Sequence, residues 1–222
     1  MVKRILDIAY KHKLSHLGSY FTALPIIDEI YKKMDKDDIF ILSSGHAALA
    51  LYVCLEKYRG QDAEALFLKH GGHPHWDEKA GIHCSTGSLG MGILIALGRA
   101  IANPKRKVYV LLSDGECAEG SVWEALKTIQ ENNITNIEIH VNINGYSAYK
   151  KVNPKYLMDR LFTFLPKQMT IWLSGELINI KINGYNSIDN IPEQTFSFLK
   201  GLDAHYKILN DEDYQKALKE LI

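Results

Sequence analysis

Between residues 107 and 146 the chain carries two apolar runs separated by an amphipathic one. KVYVLLSDGE (107–116) is β-branched and aliphatic and closes on Ser113, Asp114 and Gly115, the pattern of a buried parallel strand ending in a tight turn. Over 121–132 the apolar residues Val122, Ala125, Leu126 and Ile129 recur at spacings of three and four, with Glu124, Lys127 and Gln130 on other faces. That spacing predicts a helix. NIEIHVNINGY (136–146) then supplies a second strand over 137–142, again ending in polar residues and a glycine. The three pieces form one β-α-β unit.

The same patterning extends in both directions. Ile5, Leu6, Ile8 and Ala9 predict an amphipathic helix over 2–13, broken by KLSHLGS (13–19) and followed by a second helix over about 23–33. Residues 37–58 read as a short strand, a Ser-Ser-Gly turn and a helix. A polar, glycine-rich segment over 70–92 reads as a long functional loop, and a helix follows over about 89–102. Beyond Tyr146, Asn153-Pro154 starts a helix to about Phe164, residues 168–182 give one or two strands around Ser174-Gly175, and a last helix lies within 201–221. Strands alternating with helices predict an α/β fold of three layers with a mainly parallel central sheet.

A crossover of this kind opens the carboxyl ends of neighbouring strands on one edge of the sheet, where open α/β folds bind their ligands. Asn144 follows Asp114 by thirty residues, the length of one crossover, so a carboxylate and an amide oxygen converge there. Hard oxygen donors suit Mg2+, which is usually completed by water and phosphate oxygens, so a phosphorylated cofactor is implied. DG and NG are also ordinary turn dipeptides; it is the crossover between them that favours a site.

SDGE followed by NING resembles the thiamine diphosphate signature, EGSVWEAL (119–126) resembles the transketolase family, and GLDAHYKILNDEDYQKALKEL (201–221) resembles the end of that family's stand-alone amino-terminal subunits. The resemblance implies the thiamine diphosphate-binding fold, with Mg2+ held by Asp114, Asn144 and the carbonyl of Tyr146, and cofactor contacts from Gly115, Glu116 and Asn144. Ser113 stands in place of the family's first glycine, which suits a backbone of negative φ. It further implies that STGSLGMG (85–92) brings Gly87, Ser88 and Leu89 to the cofactor, the Leu89 carbonyl accepting from the pyrimidine amino group, and that Gly45 and His46 of SSGH lie at the diphosphate. Glycines at 90, 92 and 98 would equally serve helix packing.

Four histidines are implied to face substrate: His16, in a loop where Leu17 replaces the family's usual proline, His46, His73 of GHP (72–74), and His205. Each has a plainer reading as a loop, capping or surface histidine. His70, His73 and His75 could also suggest zinc, but their spacing has no helical or hairpin register. Glu116, Glu119 and Glu124 are poorly placed to be the glutamate that activates the pyrimidine; Glu119 is implied at the contact between two copies of the site. That activating glutamate is expected on a partner, a pyrimidine-binding subunit, so the chain is expected to work as a homodimer within a heterotetramer on sugar phosphate substrates. The reaction implied is transfer of a two-carbon ketol unit from a ketose phosphate to an aldose. A non-catalytic or regulatory homologue, and a thiamine diphosphate-dependent synthase acting on pyruvate, are the alternatives.

Composition narrows this only slightly. A chain of 222 residues is most simply one domain over 1–222, with 148–198 divergent from the family. Lys plus Arg equals Asp plus Glu at 26 each, so no global field gathers polyanions and no nucleic-acid partner is expected. Cys54, Cys84 and Cys117 share no metal-type spacing and suggest buried thiols in a reducing compartment, hence the cytoplasm. The beginning MVKRILDIAYKHK is too charged for a signal peptide, and no segment suggests a membrane span.

Overall fold

Alternation along the strands divides the molecule into two cores. The computed structural model describes residues 1–147, 150–164, 167–174, 180–183, 187–190, 196 and 198–221. Strands β1 (Ile39–Leu42), β2 (Val108–Ser113), β3 (Ile137–Ile143) and β4 (Met169–Leu173) lie side by side in chain order and are all parallel. Phe40, Leu42, Tyr109, Leu111 and Trp172 point to one face, and Ile39, Ile41, Val108, Val110, Leu112, Val141 and Ile171 to the other. Strands buried on both faces are what continuous apolar runs produce.

The first face packs against α1 (Val2–Lys11), α2 (Leu17–Lys33), α3 (Ala48–Arg59) and α4 (Ala63–His70), together with Ala217 near the carboxyl end. The second packs against α5 (Gly92–Ala102), α6 (Gly120–Glu131) and α7 (Pro154–Leu161). Two short carboxyl-terminal helices, α8 (Asp203–Tyr206) and α9 (Asp211–Glu220), return to the first face, α8 against α2 and α9 against α1. Three layers with a parallel centre result. The sheet continues, however, through β5 (Ile180–Asn183) and β6 (Ser187–Asn190), each antiparallel to its neighbour. The expected break at Ser174-Gly175 is met at Ser174, while Gly175 lies outside the described residues.

Helix α2 begins at Leu17, six residues before its expected start, and the break before it is a short one. Lys13 and His16 take left-handed φ of 54° and 66°, turning the chain sharply enough for Leu17, Tyr20, Phe21 and Leu24 to enter the core. Burial of those four residues outweighs the turn tendency of Gly18 and Ser19. Helix α4 has no counterpart in the sequence reading because its apolar pattern is incomplete: Leu66 is buried but Leu68 is 67% exposed. It starts from an Asp62 cap that accepts from the Ala65 amide at 2.7 Å.

The long segment before α5 is not structureless. Thr86 donates through its amide to the Pro74 carbonyl, and Asp77 and Ile82 exchange two backbone bonds of 2.9 Å, so 74–86 form a hairpin-like excursion. Helix α5 starts at Gly92, after Gly90 at a φ of 75°. The three cysteines are free and buried. No helix among the described residues is long and apolar enough to cross a membrane.

Candidate functional site

The carboxyl ends of β2 and β3 meet as the crossover requires. Ser113 pairs with Asn142 in register, and the Asp114 amide donates to the Asn142 carbonyl at 2.9 Å. Ser113 is absent from the residues with positive φ, so serine is unstrained where the family has glycine. Beyond the strands, Asp114 Oδ2 accepts from the Gly145 amide at 2.8 Å and Oδ1 from the Gly115 amide at 3.0 Å. Asn144 Oδ1 accepts from the Tyr146 amide at 3.0 Å. The side-chain oxygens of Asp114 and Asn144 thus belong to two interlocked turns.

Asp114 is 3% exposed and faces no cation among the described residues. Burial pushes its carboxyl up to about 7 against the pull of the surrounding backbone N–H groups. A buried carboxylate without a counter-charge beside an amide oxygen fits a hard divalent cation such as Mg2+. Among the described residues no three His, Cys, Asp or Glu side chains gather as a metal cage, so the zinc reading of His70, His73 and His75 gains nothing from the geometry. His70 instead packs near Tyr52 and lies 3.3 Å from Asp77.

Glu116 sits below this turn rather than on its open side. Fully buried, it accepts through Oε1 from the Ser43 hydroxyl and the Gly90 amide, and through Oε2 from the Ser113 amide and hydroxyl. Both of its oxygens are engaged by protein donors, and the residue clamps the ends of β1 and β2 to the glycine loop. Ser121 Oγ donates to the Gly90 carbonyl at 3.0 Å, fixing that loop from its other side.

Glycines make this closeness possible at two positions. A Cβ at Gly45 would fall 2.7–2.8 Å from the Thr86–Gly87 backbone, and one at Gly92 within 2.6 Å of the Ser43 Cα. The loop is also tied down by Thr86 Oγ1, which donates to the Leu42 carbonyl at 2.7 Å. Ser88 and Leu89 stand exposed at its tip, and Glu119 is exposed beside Gly90. Ser43 and Thr86 are site-building residues that sequence reasoning missed. The Ser-Ser-Gly turn was the only signal pointing to Ser43.

Three of the four histidines converge. His16 and His205 have ring centroids 4.2 Å apart and Nδ1 atoms at 3.4 Å, and His46 lies 5.6 Å from His16 and 5.9 Å from His205. An Nδ1–Nδ1 contact needs one donor and one acceptor, so the two rings hold complementary neutral tautomers. Burial first, then the neighbouring imidazoles, holds His16 down at about 4 and His46 at about 3, and burial lowers His205. His73 lies across the opening against Gly87, where a Cβ would meet its ring at 3.0 Å.

The backbone explains how distant segments reach one place. His16 donates through its amide to the His205 carbonyl at 2.7 Å. At the second residue of α2, a Cβ on Gly18 would already touch Ala204 Cβ at 3.0 Å, so the bare α-carbon lets α8 approach. His46 rides on a short 3-10 turn, Gly45–Ala47, inserted before α3. The amides of Gly45 and Ala47 are spent on Ser43 and Ser44 carbonyls, so an internally bonded turn precedes α3.

Comparison with known proteins agrees with this architecture. Residues 5–147 match the family model described as transketolase, thiamine diphosphate binding domain. The chain is 26% identical to an apulose-4-phosphate transketolase subunit of Phocaeicola vulgatus, over 99% of this chain and 90% of that protein. It is 35% identical to the protein of the same name in Actinobacillus succinogenes over 144 residues, 56% of this chain and 52% of the relative. Against the transketolase of Homo sapiens the identity is 38% over 58% of this chain, which spans 23% of that protein. A transketolase variant of Pichia stipitis superposes with a TM-score of 0.57 at 22% identity, over 73% of this chain and 30% of the other, and shows the shared fold. The chain belongs to the transketolase family through its thiamine diphosphate binding domain.

Proposed function

We propose that this chain is the diphosphate- and magnesium-binding subunit of a split transketolase, moving a two-carbon ketol unit from a ketose phosphate to an aldose together with a pyrimidine-binding partner. The observation that carries the proposal is the pairing of a buried, uncompensated Asp114 carboxylate with Asn144 at adjacent strand ends, beside three converging histidines. Asp114, Asn144 and the Tyr146 carbonyl would hold Mg2+, and the Gly115 turn together with Gly45, His46 and the Gly87–Ser88–Leu89 loop would receive thiamine diphosphate. When bound, the cofactor supplies the nucleophilic carbon and the electron sink for ketol transfer.

The protein's part is to orient and to handle protons. His16, His46 and His205, neutral near pH 7, can each donate or accept one hydrogen bond at a donor-sugar hydroxyl, and His73 closes the opposite side. Moving a proton through such a positioned imidazole contributes about 10² to 10⁴ in rate. Asp114 acts only as a ligand.

A partner is supported by two relatives being named as transketolase subunits and by the short span of this chain on the transketolase of Homo sapiens. Self-association is supported by the outer side of α5, which presents Gly98 and Ile101, 52% exposed, with Met91, 44% exposed, just before it. Glu119 lies exposed next to that helix, at the entrance to α6. Apulose 4-phosphate, named in two relatives, is the first donor to try.

The test mixes the chain with the candidate pyrimidine-binding subunit, Mg2+ and thiamine diphosphate, and follows aldose formation from the ketose phosphate. Activity is expected only when both proteins are present. Asp114→Ala is expected to weaken Mg2+-dependent cofactor binding by calorimetry at least about 10- to 100-fold, as loss of metal-site groups does. A regulatory homologue would show no ketol transfer with any sugar phosphate and would keep its partner after that substitution.

A further inference from the structure

At the opposite edge of the sheet, where β1 and β2 begin, lies a cavity of about 280 Å³. That is close to the lower end of the roughly 300–1,000 Å³ typical of small-molecule sites. Lys36 reaches it from the turn before β1, Arg59 from the end of α3, Lys79 from the tip of the 74–86 excursion and Arg106 from the turn before β2. Four cations on four separate segments converge in a protein with no net charge. Neither the Arg59 nor the Arg106 guanidinium makes a hydrogen bond or ion pair with another described residue.

The carboxylates nearby do not neutralise them. Asp38 is buried and spends Oδ1 on the Lys107 amide at 3.2 Å and Oδ2 on the Asp35 amide at 3.0 Å. Asp37 and Glu78 are exposed at the rim. Against the cations lies His83, whose Nδ1 is buried without a hydrogen-bond partner among the described residues. Its carbonyl accepts from Arg99 Nη2 at 3.1 Å, which fixes the backbone there. Burial, then Arg99, Arg59 and Arg106, keep the imidazole neutral near pH 7. A sequestered Nδ1 with no acceptor, facing guanidinium groups with no anion, is a donor set without its ligand.

We propose that this cavity binds a phosphate dianion, free or as the monoester of a small metabolite, through Arg59, Arg106 and the Nδ1–H of His83. The site is separate from the strand ends that carry Asp114 and does not rest on the reading given for them.

The test titrates the full chain at pH 7 with inorganic phosphate and, separately, with glycerol 3-phosphate. The readout is the imidazole resonance of His83, assigned by its loss in His83→Gln. A saturable shift is expected, with affinity lowered roughly tenfold or more in Arg59→Gln/Arg106→Gln, the range for charge-assisted bonds. The single substitutions Arg59→Gln and Arg106→Gln, each with a smaller loss, serve if the double variant does not fold. Tighter binding of glycerol 3-phosphate assigns the site to a metabolite ester, and tighter binding of inorganic phosphate assigns it to the free ion. No saturable shift with either ligand, or equal affinity in folded Arg59 and Arg106 variants, overturns the proposal.

Discussion

Glu116 accepts from four donors while itself fully buried, and they come from the end of β1, from β2 and from the glycine loop, which must stay in contact around the cofactor site. Burial alone pushes its carboxyl up, and the donors pull it back. Glu116→Ala orphans the amides of Ser113 and Gly90, at about 1–3 kcal/mol each, so a loss of about 2–6 kcal/mol is expected in urea denaturation. Glu116→Gln keeps one acceptor oxygen and should lose less. The sequence showed an acidic residue two positions after Asp114 but not which way it points. That direction is set by Ser43 and Gly90, far away in the chain, and no local spacing encodes them. Asp114 and Asn144 were legible for the opposite reason, since one crossover fixes both.

At the scale of elements, α5 carries two glycines with opposite demands. Gly92 sits against Ser43, and Gly92→Ala should drive α5 off the end of β1, costing about 1–3 kcal/mol and weakening cofactor binding in the same calorimetric titration. Around Gly98 nothing lies within 4 Å of where an added methyl group would stand, so Gly98→Ala should stabilise the isolated monomer by about 0.5–1 kcal/mol through helix propensity. Denaturant midpoints of the two variants moving in the same direction would contradict this assignment. Periodicity predicted α5 and α6 because their buried faces are regular, and it placed the start of α2 too late because tertiary burial of Leu17 overrides a turn-forming sequence. It also gave no hint of β6, since hairpin pairing to β5 is not visible in single-strand alternation.

Across the whole molecule, acid should act in two stages. His16, His46 and His83 are held at about 4, 3 and 4, below the ordinary 6.5, so the unfolded chain binds more protons as pH falls through that range. Their contribution is complete above about 6.5 and is lost progressively toward 4 and 3. Glu64 and Glu138, held at about 2, add a second loss below 4.5. Asp114 and Glu116, raised by burial, act in the opposite sense, so the histidine part is read as a difference. Urea midpoints of His16→Gln/His46→Gln should fall less steeply between pH 6.5 and 4 than those of the wild type. The three-layer architecture was legible because strands buried on both faces and helices of regular period dominate residues 1–147; the contact of His205 with His16 was not, since family resemblance implied only that each lies at the site.

Strand order has one more consequence. Every described strand from β1 to β6 borders only its predecessor and its successor, so none is inserted between two laid down before it. A chain emerging from the ribosome can therefore extend its sheet outward one ribbon at a time, and the turns bearing Asp114 and Asn144 face each other before the antiparallel hairpin has been synthesised.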